Sequence, residues 1–172
     1  MKKLFITACI IFIVFISFAQ SKQAGTEREA IKKFMSRKEI PAVLPNKNVD
    51  EIKHVLKQYN NAVGKLDVTE TEKFFASDSQ IYESGNREGS YAHYMVHHLT
   101  PELKEFQSFS YGNYKVDVVV DGNYAFTNES YNYTIIMAKD NTEVKRKGVA
   151  TSVLKKGNGE WKIMLSHISS RK

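Results

Sequence analysis

Three side chains of this sequence combine reactive chemistry with an apolar setting: Glu83, His98 and His167. His98 shares a helical face with Tyr91 and Tyr94, His167 alternates in phase with Trp161, Ile163, Leu165 and Ser169, and Glu83 is in phase with Ile81. Each pattern turns a polar group inward, where an imidazole needs hydrogen-bond partners and a carboxylate is costly unless paired. One acid and two imidazoles gathered in an apolar cavity can orient a ligand or move a proton near neutral pH. In the alternative reading the same three groups only satisfy one another. Tyr94 joins the expected ligand-contacting set through its shared face with His98. Tyr131 and Tyr133 join it because they alternate with Ile135 and Met137 on one strand face, which lines either a pocket or a dimer surface. Phe109, Tyr111, Tyr114, Tyr124 and Phe126 read as cross-strand packing.

Other constellations are weaker. His93 and His97 stand four apart on one helix and can present two imidazoles to one ion, while Glu83, His98 and His167 offer an inner alternative. The two sets face differently, His98 lying ~100° round the helix from His97. No HExxH or two-His-one-carboxylate spacing is present, so a native metal is not the expectation. His54 falls on the polar side of a helix beside Lys53 and Lys57 and reads as solvated. Gly157-Asn158-Gly159 lies between two strands and is a hairpin rather than a phosphate cradle, which leaves no cofactor implied. Asn128-Glu129-Ser130 and Asn132-Tyr133-Thr134 are formal glycosylation sequons, read here as strand residues.

The elements that must hold these residues follow from period and punctuation. Ile52, Val55, Leu56, Tyr59, Ala62, Val63 and Leu66 fit the i, i+3, i+4, i+7 template, and Asn48 with Glu51 forms a capping box at the start of that helix. Thr69 with Glu72 opens a short helix burying Phe74 and Phe75. Gln80 to Ser84 is a short strand, Gly85 to Gly89 a turn, and Ser90 caps the helix of Tyr91, Tyr94, Met95, His98, Leu99 and Glu102, which Pro101 should bend or restart. Four strands follow: Gln107 to Val120, Tyr124 to Lys139, Glu143 to Lys156 and Glu160 to Ser170. Asp121-Gly122-Asn123, Asp140-Asn141-Thr142 and Gly157-Asn158-Gly159 separate them with hairpin chemistry. Helices followed by an antiparallel meander make an α+β layer.

The chain has 172 residues, 42% hydrophobic and 26% charged, the balance of a single globular domain. Lys2 and Lys3, the apolar run Leu4 to Phe18 and the small residues of Ser17-Phe18-Ala19 form a signal peptide cleaved after Ala19. The run is too short for a retained anchor, and Cys9 comes too early for a lipobox. Cleavage removes Cys9, the only cysteine, and with it any disulfide or thiol chemistry. It also removes two lysines and no acid, taking the formal charge from +6 to +4. The remaining basic residues are scattered without an interleaved aromatic platform, which excludes nucleic acid as a partner. Residues 20–47 read as a leader, a helix from Thr26 to Glu39 and a linker around Pro41 and Pro45. The domain proper spans residues 48–172, and the expected location is periplasmic or secreted.

This order of elements resembles the nuclear transport factor 2-like superfamily. Phe74-Phe75-Ala76-Ser77-Asp78-Ser79-Gln80-Ile81-Tyr82-Glu83-Ser84-Gly85 looks like the helix-to-strand passage of SnoaL-like domains. His98-Leu99-Thr100-Pro101-Glu102-Leu103 looks like a motif of bacterial members. Gly159-Glu160-Trp161-Lys162-Ile163 with Ser166-His167-Ile168-Ser169 looks like their closing strand. The resemblance covers about Val49 to Arg171. It implies a ketosteroid isomerase-like cone, a curved antiparallel sheet wrapped around N-terminal helices with an internal pocket, on a fold that hosts isomerases, cyclases, dehydratases and binding domains. The acid, tyrosine and protonated aspartate of ketosteroid isomerases have no match here, since Asp117 and Asp121 fall on a strand and its turn. His167 can stand for the histidine of SnoaL-type cyclases, without an acid partner marked for it. The reading that results is an exported domain binding a small, partly apolar molecule through Glu83, His98 and His167. Its alternatives are a cofactor-independent isomerase, dehydratase or hydrolase with His167 or His98 as general base, and a homodimeric accessory module or metal-binding protein.

Overall fold

Asn46 accepts a hydrogen bond from the backbone N–H of Asn48, which makes it the N-cap of helix α1 (Lys47–Gly64). The expected cap, Asn48, lies inside the helix. Glu51, its expected capping partner, instead accepts from Lys156 Nζ at 2.7 Å, and the same ammonium donates to Asn48 Oδ1 at 2.8 Å. The structure is a computed structural model and describes residues 46–172. The expected signal peptide, the expected helix from Thr26 to Glu39 and most of the expected linker lie outside the described residues. Along α1 the apolar stripe does what its period requires: Ile52, Leu56 and Val63 are buried. Leu66 closes the helix in the left-handed region at φ 59°, with Asp67 N–H returning to the Ala62 carbonyl.

Thr69 does not open a helix, because Asp67 takes both its N–H and its hydroxyl. A single 3₁₀ turn, Glu72–Phe74, leads directly into β1 (Phe75–Glu83), which is longer than the sequence suggested. The expected turn at Gly85 to Gly89 is a hairpin whose second arm is β2 (Asn86–Gly89). Ser90 caps as expected, its hydroxyl accepting from His93 N–H. The helix it opens is interrupted: α2 (Tyr91–Tyr94) passes into a π turn (Met95–Leu99) and then α3 (Thr100–Leu103). Pro101 has no N–H to give, and the Thr100 N–H reaches back five residues to the Met95 carbonyl.

The meander is β3 (Phe106–Asp121), β4 (Tyr124–Met137), β5 (Glu143–Gly157) and β6 (Glu160–Arg171), within two residues of the boundaries read from the sequence. The strands form one curved six-stranded sheet in the order β2-β1-β6-β5-β4-β3, antiparallel except for the β1–β6 pair. This is the expected α+β cone. The β4–β5 ladder runs without a break, whereas β3 is interrupted between Gly112 and Lys115 and β6 at Met164, which falls between the pairs Val153–Leu165 and Leu154–Ile163. Bulges bend strands and increase their twist, which lets this sheet close over α1. Among the described residues no helix is long and apolar enough to cross a membrane.

Tyr91 joins the layers. Its ring stacks on Phe75 of β1 at 3.6 Å between centroids and meets Tyr59 of α1 edge-on at 5.8 Å. Its N–H donates to Ser79 Oγ. Because the Thr71 hydroxyl gives its hydrogen to the Val68 carbonyl, the Tyr91 hydroxyl is the donor in their 2.6 Å contact. Removing that hydroxyl leaves a buried acceptor unfilled while the stack stays in place. Tyr91→Phe is expected to lower unfolding free energy by about 0.5–1.5 kcal/mol in urea titration, and an unchanged midpoint would show the bond to be dispensable.

Candidate functional site

The concave face of the sheet, α1 and the α2–α3 segment enclose a cavity of about 110 Å³. Unbroken alternation along β4 puts Glu129, Tyr131, Tyr133 and Ile135 on its wall, and α1 contributes Tyr59 and Asn60. Glu83 reaches it from the end of β1, and Glu102 from α3. The remaining wall is largely apolar and aromatic, with a polar strip at Ser152, Ser166 and Ser170. Ser152 Oγ donates to Ser166 Oγ at 3.1 Å, and the Tyr133 hydroxyl donates to Ser170 Oγ at 3.0 Å.

Glu129 is the most constrained polar group of the site. Only 6% of it is exposed. The Tyr114 hydroxyl donates to its Oε2 at 2.5 Å and Asn60 Nδ2 donates to the same oxygen at 3.0 Å. Oε1 has no hydrogen-bond partner among the described residues, and Glu129 lines the cavity. Burial pushes the Glu129 carboxyl above the ordinary carboxylate range, against the downward pull of its two donors. Burial, followed by the charge of Glu129, also holds the Tyr114 phenol well above its usual range, so it stays a donor. Tyr131 lies flat against Gly148 of β5: a Cβ there would stand 2.3 Å from the ring, so only glycine lets Tyr131 occupy this place.

A second polar pair stands at the rim. The Tyr94 hydroxyl donates to Glu83 Oε2 at 2.7 Å. His98 lies beside them with its ring 5.2 Å from Tyr94, Nε2 3.6 Å from Glu83 and 3.9 Å from Glu102, and Nδ1 3.3 Å from Glu88. Burial, then the Glu83 charge, raises the Glu102 carboxyl, with His98 acting the other way.

The residues expected to meet are thus only partly brought together. Glu83, Tyr94, Tyr131 and Tyr133 line the cavity. His98 does not: the extra residue of the π turn advances the inward face from Tyr94 to Leu99 and Leu103, and the imidazole sits at the rim with 35% of its side chain exposed. His167 is exposed on the opposite face of β6. The residue Met164 adds to β6 reverses the alternation, so Ser166, Ile168 and Ser170 face the cavity in place of Leu165, His167 and Ser169. The His93 and His97 rings lie 4.4 Å apart, tilted by 38°, with His93 Nδ1 against the Glu88 carbonyl. Among the described residues no three His, Cys, Asp or Glu side chains gather to hold a metal ion. Glu129, Asn60 and Tyr114 were not singled out from sequence. A signal existed for Glu129, a lone carboxylate in phase with Tyr131 and Tyr133, and it was absorbed into a sequon.

A curved α+β sheet over a cavity with a few convergent polar groups is the architecture of the nuclear transport factor 2-like cone. The family model described as SnoaL-like domain matches residues 52–171, and the chain belongs to that family. Among solved structures, a nuclear transport factor 2-like superfamily protein from Salmonella enterica serovar Typhimurium is similar over 72% of this chain and 90% of its own, with TM-score 0.65 and 17% identity. A candidate dehydratase of the same family from Streptomyces avermitilis is similar over 74% and 99%, with TM-score 0.66 and 14% identity. A candidate ketosteroid isomerase from Shewanella frigidimarina is similar over 67% and 92%, with TM-score 0.56 and 24% identity. At these identities the likeness is one of fold. No curated protein sequence matches the chain.

A carboxyl held above its unfolded value favours the folded chain at pH below about 4.5, and that contribution is lost as the pH rises through the raised folded value. Glu129→Gln keeps an acceptor for Tyr114 and removes the titration. In paired urea titrations the variant should gain stability relative to the unsubstituted protein as the pH is taken from 4 to 8. A difference independent of pH would place the carboxyl in solvent.

Proposed function

We propose that this protein is an exported small-molecule-binding domain whose cavity holds a compact, partly apolar ligand, oriented by Glu129 on one wall and Glu83 at the rim. The observation that carries this reading is Glu129 itself. A nearly buried carboxylate that lines a cavity, with both of its hydrogen-bond donors on one oxygen, is costly to the fold, and a bound molecule that reaches the other oxygen offsets that cost. The cavity volume, about 110 Å³ against the ~300 Å³ typical of drug-sized ligands, favours a molecule of a few heavy atoms. Membership of the family and the names of the Streptomyces and Shewanella neighbours support a second use of the same geometry. A carboxyl raised by burial and paired with a tyrosine hydroxyl can exchange a proton with the bound molecule. In that reading Glu129 takes the part first expected of a histidine, and the reaction is an isomerisation or dehydration without a cofactor.

Native mass spectrometry of protein purified without chelator tests the binding reading. A small-molecule adduct is expected on the unsubstituted protein and not on Ala150→Phe, which places a ring in the cavity wall. Absence of any adduct, with no stabilisation by compounds of a few heavy atoms in thermal unfolding, would overturn it.

The outer face of the sheet supports a homodimer. Val119, Phe126, Val153 and Leu165 pair in sequence across four strands, forming one apolar row, and Val119 and Phe126 are 64% and 49% exposed. Light scattering should show a dimer that Phe126→Lys converts to monomer, and a monomeric unsubstituted protein would exclude this interface.

A further inference from the structure

Among the described residues the charges that line the cavity are of one sign. Glu83, Glu102 and Glu129 line it, and no described lysine, arginine or histidine does, in a chain whose formal charge is +6. His98 approaches Glu83 and Glu102 from outside the lining. Glu129 has no cationic partner among the described residues, since Tyr114 and Asn60 are neutral and both bond Oε2. The residue lines the cavity with 6% of its surface exposed, and its second oxygen takes no hydrogen bond from the described residues.

Between these acids the wall is aromatic. The Tyr131 ring contacts Tyr111 edge-on at 5.1 Å and lies 6.2 Å from Tyr133, and Tyr59 and Phe109 complete this side. Aromatic faces carry negative quadrupole density and attract a cation within about 6 Å, more strongly when water is excluded. A neutral ligand satisfies a carboxylate oxygen but leaves its charge uncompensated beside apolar walls, and an anion meets charges of its own sign. A cavity of about 110 Å³, against the ~150 Å³ that admits benzene, limits the ligand to a few heavy atoms.

From this we infer that the cavity recognises a small organic cation, an amine or quaternary ammonium compound, with its charge against Glu129 and its carbon framework against the tyrosine rings. The inference rests on the reading that the cavity binds a small molecule and specifies the class of that molecule.

Ethanolamine and propan-1-ol test it, because both are small enough for a cavity of about 110 Å³ and they differ by a charged nitrogen in place of a carbon. Calorimetry on the purified protein should show ethanolamine binding at least about tenfold more tightly than the alcohol. Glu129→Gln and, separately, Glu83→Gln should each weaken ethanolamine more than they weaken the alcohol, with circular dichroism confirming that both variants fold. Alcohol binding equal to or tighter than ethanolamine would overturn the cation inference and leave the binding reading standing. Binding of neither probe at millimolar concentration would overturn both.

Discussion

A sheet that curls needs something to curl around, and here that is the aromatic stack of Tyr59, Phe75 and Tyr91. These rings come from α1, β1 and α2 and meet at centroid distances of 3.6 to 5.8 Å. They fill one end of the concave face, and the hydroxyl and N–H of Tyr91 are both satisfied there. With that end plugged, the curvature introduced by the bulges of β3 and β6 leaves unfilled space beyond the stack. The cavity is that space, and its walls are whatever side chains the strand alternation turns inward.

Those walls carry more polarity than packing needs. A core built only for stability would place leucine or valine where β4 places Glu129, because burying a carboxylate costs free energy even with two donors in reach. The structure limits the cost without removing it. Tyr114 and Asn60 converge on one oxygen, and the other takes no hydrogen bond from the described residues. The rim shows the same economy, with the Tyr94 hydroxyl on Glu83 and the imidazole of His98 shared among Glu83, Glu88 and Glu102. Gly148 belongs to this arrangement as well, since its missing side chain is what allows the Tyr131 ring to lie against β5.

Two local irregularities separate the site from the constellation that alternation and helical period imply. The π turn of Met95–Leu99 carries one residue more than an α turn, and His98 moves from the inner face to the rim. Met164 does the same to β6, moving His167 to the exposed face and delivering serines to the cavity. In both cases a single extra residue is enough, because a helical face spans only a few positions and a strand has two faces.

Most of the fold was legible in the sequence because its signals are local. The apolar stripe of α1, the cap at Ser90 and the turns at Gly122-Asn123 and Asn158-Gly159 are short-range chemistry, and they located every long strand. The inward set of β4, including Tyr131 and Tyr133, was also legible, since its ladder with β5 is continuous and parity holds from end to end. The site was decided by tertiary structure. Asn60 and Glu129 are 69 residues apart and meet only because α1 lies across the concave face. Whether His98 and His167 face in or out depended on bulges with no residue pattern of their own. Sequence periodicity thus determined the elements, while the register irregularities and long-range contacts of the folded chain determined which polar groups share the cavity.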